Sequence, residues 1–94
     1  MLIIRNIFTA KPGKASQMAK LMKETMSSRP GMTVRVLTDF IGQFNTVVME
    51  IEVKNMGEFE NQFKEYMSDP QIREKMKDYA EMYQEGRREV LQVV

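Results

Sequence analysis

Met32–Val53 reads MTVRVLTDFIGQFNTVVMEIEV, and the fold turns on how it is parsed. In its first half Val34, Val36, Thr38 and Phe40 share one parity, and Arg35, Leu37, Asp39 and Ile41 share the other. In its second half Val47, Met49, Ile51 and Val53 alternate with Thr46, Val48, Glu50 and Glu52. A side-chain period of two in β-branched residues predicts two strands, joined here by a turn at Gly42-Gln43-Phe44-Asn45. The second strand is cleanly one-sided only towards its C-terminal end. The first carries apolar residues on both faces, as does the second at Val48. A sheet that is apolar on both faces needs two layers to cover it.

Upstream, Leu2–Phe8 predicts a strand with Leu2, Ile4, Asn6 and Phe8 on one face and Ile3, Arg5 and Ile7 on the other. Aliphatics on both faces mark it as an inner strand. Lys11-Pro12-Gly13 is the turn out of it. A helix then runs to about Ser28, with Ala15, Met18, Ala19, Met22 and Met26 in a narrow arc and Lys14, Lys20, Lys23 and Glu24 mostly outside it. Ser27-Ser28-Arg29-Pro30-Gly31 stops it, since the residue before proline is biased away from helix.

Downstream, Asn55 and Glu58 have the spacing of a capping box. Met56, Phe59, Phe63, Tyr66 and Met67 form the stripe of the helix they open. Asp69-Pro70 starts another helix, with Asp69 as N-cap and Pro70 in its first position. Its stripe is Ile72, Met76, Tyr79, Ala80 and Tyr83, Gly86 is its stop, and Arg87–Val94 is a final strand. The order β-α-β-β-αα-β, with right-handed crossovers, predicts an α+β, ferredoxin-like antiparallel sheet with helices on one face. The opposite face would leave Ile3, Ile7, Leu37 and Val48 bare. Such a face exceeds what a monomer usually leaves to water, so a symmetric homodimer through the open sheet face is expected.

The chain has 94 residues, enough for one domain spanning 1–94 with one core. Fourteen basic against thirteen acidic residues leave a net charge of +1, with no drive towards nucleic acid or an anionic membrane. Lys14, Lys20 and Lys23 lie around an outer face with no aromatic platform beside them, unlike a ferredoxin-like RNA binder. There is no cysteine and no histidine, which removes thiol chemistry, the commonest general base and the commonest metal ligand. No cofactor or metal is expected. No apolar run approaches the roughly 20 residues of a membrane span and no signal peptide precedes the first strand, so a cytoplasmic location is expected. Ten methionines and no tryptophan suggest an adaptable core.

The opening LIIRNIFTAKPGK, residues 2–14, the methionine-striped helix, the hairpin and the split helical return together resemble the dimeric α/β-barrel superfamily, over essentially the whole chain. The resemblance is to its antibiotic-biosynthesis-monooxygenase-like or stress-responsive relatives. It implies two ferredoxin-like protomers whose sheets form a barrel, and often a small ligand between sheet and helices. The superfamily's activities range over cofactor-free oxidation of polycyclic aromatics, haem degradation, isomerisation and stress-related roles, so fold does not set function. Its oxidative members use an asparagine on the first strand, where Asn6 stands. Its haem-degrading members use a helix histidine and a pocket tryptophan; this chain has neither residue, which argues against haem degradation and weakens the oxygenase reading.

Asn6 shares the parity of core side chains, and a buried amide needs partners. It is either a structural asparagine satisfied by backbone or a ligand-facing amide. Tyr66, Tyr79 and Tyr83 lie on the inward stripes of the return helices, either as core packing with hydroxyls at the rim or, with Asn6, as binders of a carbonyl or phenol. An ordinary tyrosine pKa near 10 makes a poor base at neutral pH. Asp39 and Asn45 read as turn chemistry, with an interface ion pair alongside Arg35 as the alternative. Glu50 and Glu52, two apart on one strand face, read as a solvated edge. The expected function is a small dimeric protein of undetermined activity with a small-molecule pocket, its ligand small and apolar or aromatic. The alternatives are a cofactor-independent monooxygenase or isomerase acting on a small aromatic or quinone-like substrate, and a non-catalytic ligand-sensing or structural homodimer. A solvent-reaching void of about 300 Å³ or more beside Asn6 would fit a ligand site.

Overall fold

The structure is a computed structural model that describes residues 1–26, 28 and 31–94. Its elements are β1 (Leu2–Ala10), α1 (Ala15–Thr25), β2 (Met32–Thr38), β3 (Thr46–Val53), α2 (Met56–Ser68), α3 (Pro70–Met76), a 3-10 turn at Tyr79–Glu81, and β4 (Tyr83–Gln92). The four strands form one antiparallel sheet in the order β2-β3-β1-β4. This is the expected α+β, ferredoxin-like arrangement, with β1 and β3 inside.

Strand parity decides which side chains meet the helices. On β1 it turns Ile4 and Ala10 inward with Asn6, and on β3 it turns Val47, Met49, Ile51 and Val53 inward; all are buried. Met18 and Met22 of α1, Met26 just beyond it, and Phe59 and Tyr66 of α2 close the core from the other side. Unbranched methionines fill the gaps between these layers.

Helix ends follow local chemistry. Asn55 caps α2, its side-chain oxygen accepting from Glu58 N at 2.9 Å. The reciprocal half of the capping box is not formed among the described residues; Glu58 Oε1 accepts from Gln62 Nε2 at 3.4 Å. Asp69 caps α3 through Gln71 N, with Pro70 in the first turn. At the other end of α1 the helix stops at Thr25, earlier than the expected Ser28. Thr25 Oγ1 donates to Leu21 O at 2.8 Å, and Met26 is already extended. Ser28 instead runs beside β2, accepting from Val34 N at 3.0 Å. The expected stop residues Ser27, Arg29 and Pro30 lie outside the described residues.

Three further expectations are corrected. The strand reading of Phe40 and Ile41 fails: β2 ends at Thr38, and residues 39–45 form a loop with Phe40 96%, Ile41 90% and Phe44 82% exposed. Asp39 closes this loop, its Oδ1 accepting from Thr46 N at 3.0 Å, and Asn45 supplies a left-handed φ of 64°. Gly86 does not stop a helix. α3 ends at Met76 and β4 begins at Tyr83, so Tyr83 is a strand residue and Gly86 lies within the strand. Gly86 pairs with Phe8, and a Cβ there would sit 2.9 Å from the Phe8 ring. A side chain there would have to displace that ring, so the close approach of Phe8 to β4 calls for glycine.

The third correction concerns the open face. Ile3, Ile7 and Val48 are half-buried there, with Leu37 and Leu91 more exposed. Across its middle, however, runs a charged row, Glu89–Arg5–Glu50–Arg35, in register over all four strands. Glu50 is no solvated edge: it is 5% exposed. Its Oε2 accepts from Arg5 Nε at 3.0 Å, and its Oε1 accepts from Arg35 Nε at 2.8 Å and Nη2 at 2.5 Å. Arg35 therefore pairs within its own sheet rather than acting beside Asp39. Its guanidinium beside Glu50 holds that carboxyl below the usual carboxylate range, against the opposing effect of burial and with Arg5 assisting.

Candidate functional site

A cavity of about 630 Å³ lies between the sheet and the helices and reaches solvent. The sequence builds it by leaving the space over β1 and β4 thinly covered. α3 has only two turns, and the chain then passes through a 3-10 turn directly into β4. The floor is Asn6 and Phe8 of β1 with Met49 of β3. The walls include Phe63 and Tyr66 of α2, Ile72 and Met76 of α3, and Tyr79 and Tyr83. All four residues singled out from sequence thus line one cavity: Asn6, Tyr66, Tyr79 and Tyr83.

Their situations differ. Asn6 is 8% exposed and stands between Arg88 of β4 and Met49 of β3 in the sheet register. Arg88 Nε donates to Asn6 Oδ1 at 2.7 Å. A guanidinium has no acceptor, so this contact settles the amide's orientation, with the carbonyl towards Arg88 and Nδ2 on its other side. Arg88 also lies over the Phe59 ring, 5.9 Å from its centroid. The sequence reading missed Arg88. Its signal was present, since Arg88 has the parity of Val90, but the supposed stop at Gly86 hid the register that sets it beside Asn6.

Tyr66 is committed elsewhere: its hydroxyl donates to Thr25 Oγ1 at 3.4 Å and ties α2 to the end of α1. Phe63 stacks between Phe59 and Tyr66, at 5.6 and 6.2 Å between centroids. Tyr79 and Tyr83 form a second aromatic group with Phe8. Phe8 lies 4.8 Å from Tyr83 and 6.4 Å edge-on from Tyr79. Burial pushes the Tyr79 phenol up, while the Arg88 charge pulls weakly the other way. Its hydroxyl therefore stays protonated at neutral pH and is a poor base.

Chemically the cavity offers aromatic and thioether walls with a few donors grouped at Asn6 and Arg88. None of the chain's acidic residues lines it. Among the described residues no three carboxylates come together in a metal-binding group. No helix among them is long and apolar enough to cross a membrane.

The architecture has clear counterparts among solved structures. An uncharacterized NIPSNAP domain protein from Burkholderia xenovorans superposes with a TM-score of 0.83 at 16% identity, covering 100% of this chain and 95% of that one. This chain shares the four-stranded, ferredoxin-like fold of that protein. A NIPSNAP family protein from Agrobacterium tumefaciens strain C58 gives 0.80 at 11% identity, over 99% and 92% of the two chains. A Deinococcus radiodurans protein provisionally named an antibiotic biosynthesis monooxygenase gives 0.70 at 13%, over 100% and 93%. At these identities the likeness is one of fold. No family model and no curated protein matches the sequence.

Proposed function

We propose that this protein binds a small, flat, largely apolar molecule in the cavity beside Asn6, and does so as a homodimer joined through the open sheet face. The observation that carries the ligand reading is the cavity itself. Its volume of about 630 Å³ falls within the roughly 300–1,000 Å³ of small-molecule sites. It is apolar, with a few convergent polar groups, as such sites are. Binding is favoured over side-chain catalysis because the lining holds no carboxylate, histidine or thiol, and Tyr79 is shifted away from acting as a base. A monooxygenase of the kind suggested by the Deinococcus neighbour's name would have to work with hydrogen-bond donors alone.

Thermal unfolding with two neutral probes, 1,4-naphthoquinone and 2-naphthamide, tests the ligand reading. Either should raise Tm with concentration, by linkage between binding and folding. Ile72→Trp, which fills the cavity from α3, should abolish that rise and leave the unliganded protein folded. A Tm indifferent at millimolar concentration to both neutral probes and to 2-naphthoate, or a rise that survives Ile72→Trp, would overturn it.

A further inference from the structure

The polar end of the cavity carries more information than its volume. Asn6 and Arg88 face each other across β1 and β4 and are joined by one hydrogen bond, which uses the amide oxygen and Arg88 Nε. Asn6 Nδ2 and the two terminal nitrogens of Arg88 have no hydrogen-bond partner among the described residues; Asn6 is buried, whereas Arg88 is an exposed residue at the mouth of the cavity. Two neighbouring strands thus bring unpaired donors to the cavity lining, while the amide oxygen between them is already used. Arg73 and Arg87 join Arg88 in the lining, which holds no carboxylate. Arg88 also rests on the Phe59 ring, which holds its position without neutralising it.

We infer that the ligand is a monocarboxylate with a flat apolar body, its carboxylate held by Asn6 Nδ2 and the outer edge of Arg88. This inference rests on the cavity being a ligand site. The two free Nη groups of a guanidinium present the fork that matches a carboxylate's two oxygens, and charge assistance makes such bonds about twice as strong as neutral ones. A neutral carbonyl would gain only ordinary hydrogen bonds from the same donors, without the charge assistance a carboxylate receives. A cation would find no opposing charge at all. A phosphate would bring a second charge and polar oxygens against methionine and aromatic walls that cannot solvate them. The paired rings in the lining, Phe8 with Tyr83 and Phe63 with Tyr66, suit a flat body.

Three isosteric probes separate the cases by isothermal titration at pH 7 and low salt: 2-naphthoate, 2-naphthamide and 2-naphthylmethylammonium. The carboxylate should bind about tenfold or more tighter than the amide, with the ammonium weakest; tenfold corresponds to about 1.4 kcal/mol. Arg88→Gln should bring naphthoate down to the level of naphthamide and leave naphthamide within about twofold. Raising salt should weaken naphthoate alone, because only that contact is ionic. This salt dependence is read on the unaltered protein, so it stands even where the variant fails to fold. Naphthamide binding as well as naphthoate, or a preference for naphthoate that is unaffected by Arg88→Gln and by salt, overturns the carboxylate assignment and leaves the cavity as a site. Failure of all three probes overturns the cavity reading itself.

Discussion

Glu50 shows how much of this protein is settled by register. Both its oxygens are taken by arginines 45 and 15 residues away, which meet it only because β1 and β2 flank β3 at that rung. The sequence shows two glutamates, at 50 and 52, on one strand face; nothing local says that one is covered and the other bare. The Asn6–Arg88 pair, 82 residues apart, is hidden for the same reason, although the inward parity of Asn6 was readable from its aliphatic neighbours. Glu50 has a testable consequence. Its carboxyl is held low in the folded state, so its contribution to stability is complete above the ordinary carboxylate pKa of about 4.3 and is lost as pH falls through the lower folded value. Glu50→Gln should cost about 1–2 kcal/mol at pH 7, the worth of bonds to charged groups discounted for arginines that are partly in water. Urea unfolding of the two proteins should then converge as pH drops from 5 to 3. Parallel pH profiles would show that Glu50 carries no such linkage.

Among the elements, α2 depends most visibly on one local bond. Asn55 satisfies the Glu58 N–H and so starts the helix that presents Phe59, Phe63 and Tyr66 to the sheet. Asn55→Ala should cost about 1 kcal/mol, which for a chain of this size lowers Tm by about 4–8 °C. An unchanged Tm would mean that packing alone holds the first turn. Capping chemistry of this sort was legible in the sequence because it is local, as at Asp69-Pro70. The misjudged boundaries have a common physical origin. Phe40 and Ile41 continue the alternation of β2, but Asp39 turns its side chain back to Thr46 N and ends the ladder before them. Gly86 looks like a helix stop because glycine usually punctuates. Here it is small for a tertiary reason, the Phe8 ring lying across it, and no sequence window contains both residues. Tyr79 and Tyr83, four apart, mimic a helical stripe; in the structure they reach the same aromatic group with Phe8 from a 3-10 turn and a strand.

For the whole molecule the open sheet face is the remaining question, and its composition argues for a second copy of this chain. Ile3, Ile7, Val48, Leu37 and Leu91 give it an apolar surface. Gln43 Nε2 donates to Thr9 Oγ1 at 3.4 Å, which draws the 39–45 loop, with its bare Phe40, Ile41 and Phe44, to one end of the same face. Across the centre the charges alternate as Glu89, Arg5, Glu50 and Arg35. A row that alternates in sign can lie against its own two-fold copy with each arginine near a glutamate, so the face is self-complementary in charge as well as apolar. Covering about 700–800 Å² per partner would make an interface of ordinary size. The protein should therefore sediment at micromolar concentration with twice its chain mass of 11.0 kDa. Ile7→Lys places a second positive charge beside Arg87, next to Val48 on that face, and should yield a folded monomer with a Tm that no longer depends on protein concentration. A wild-type chain that sediments as a monomer at about 10 μM, where an interface of this size is expected to hold, removes the dimer. A dimer that survives Ile7→Lys removes the open face as its seat.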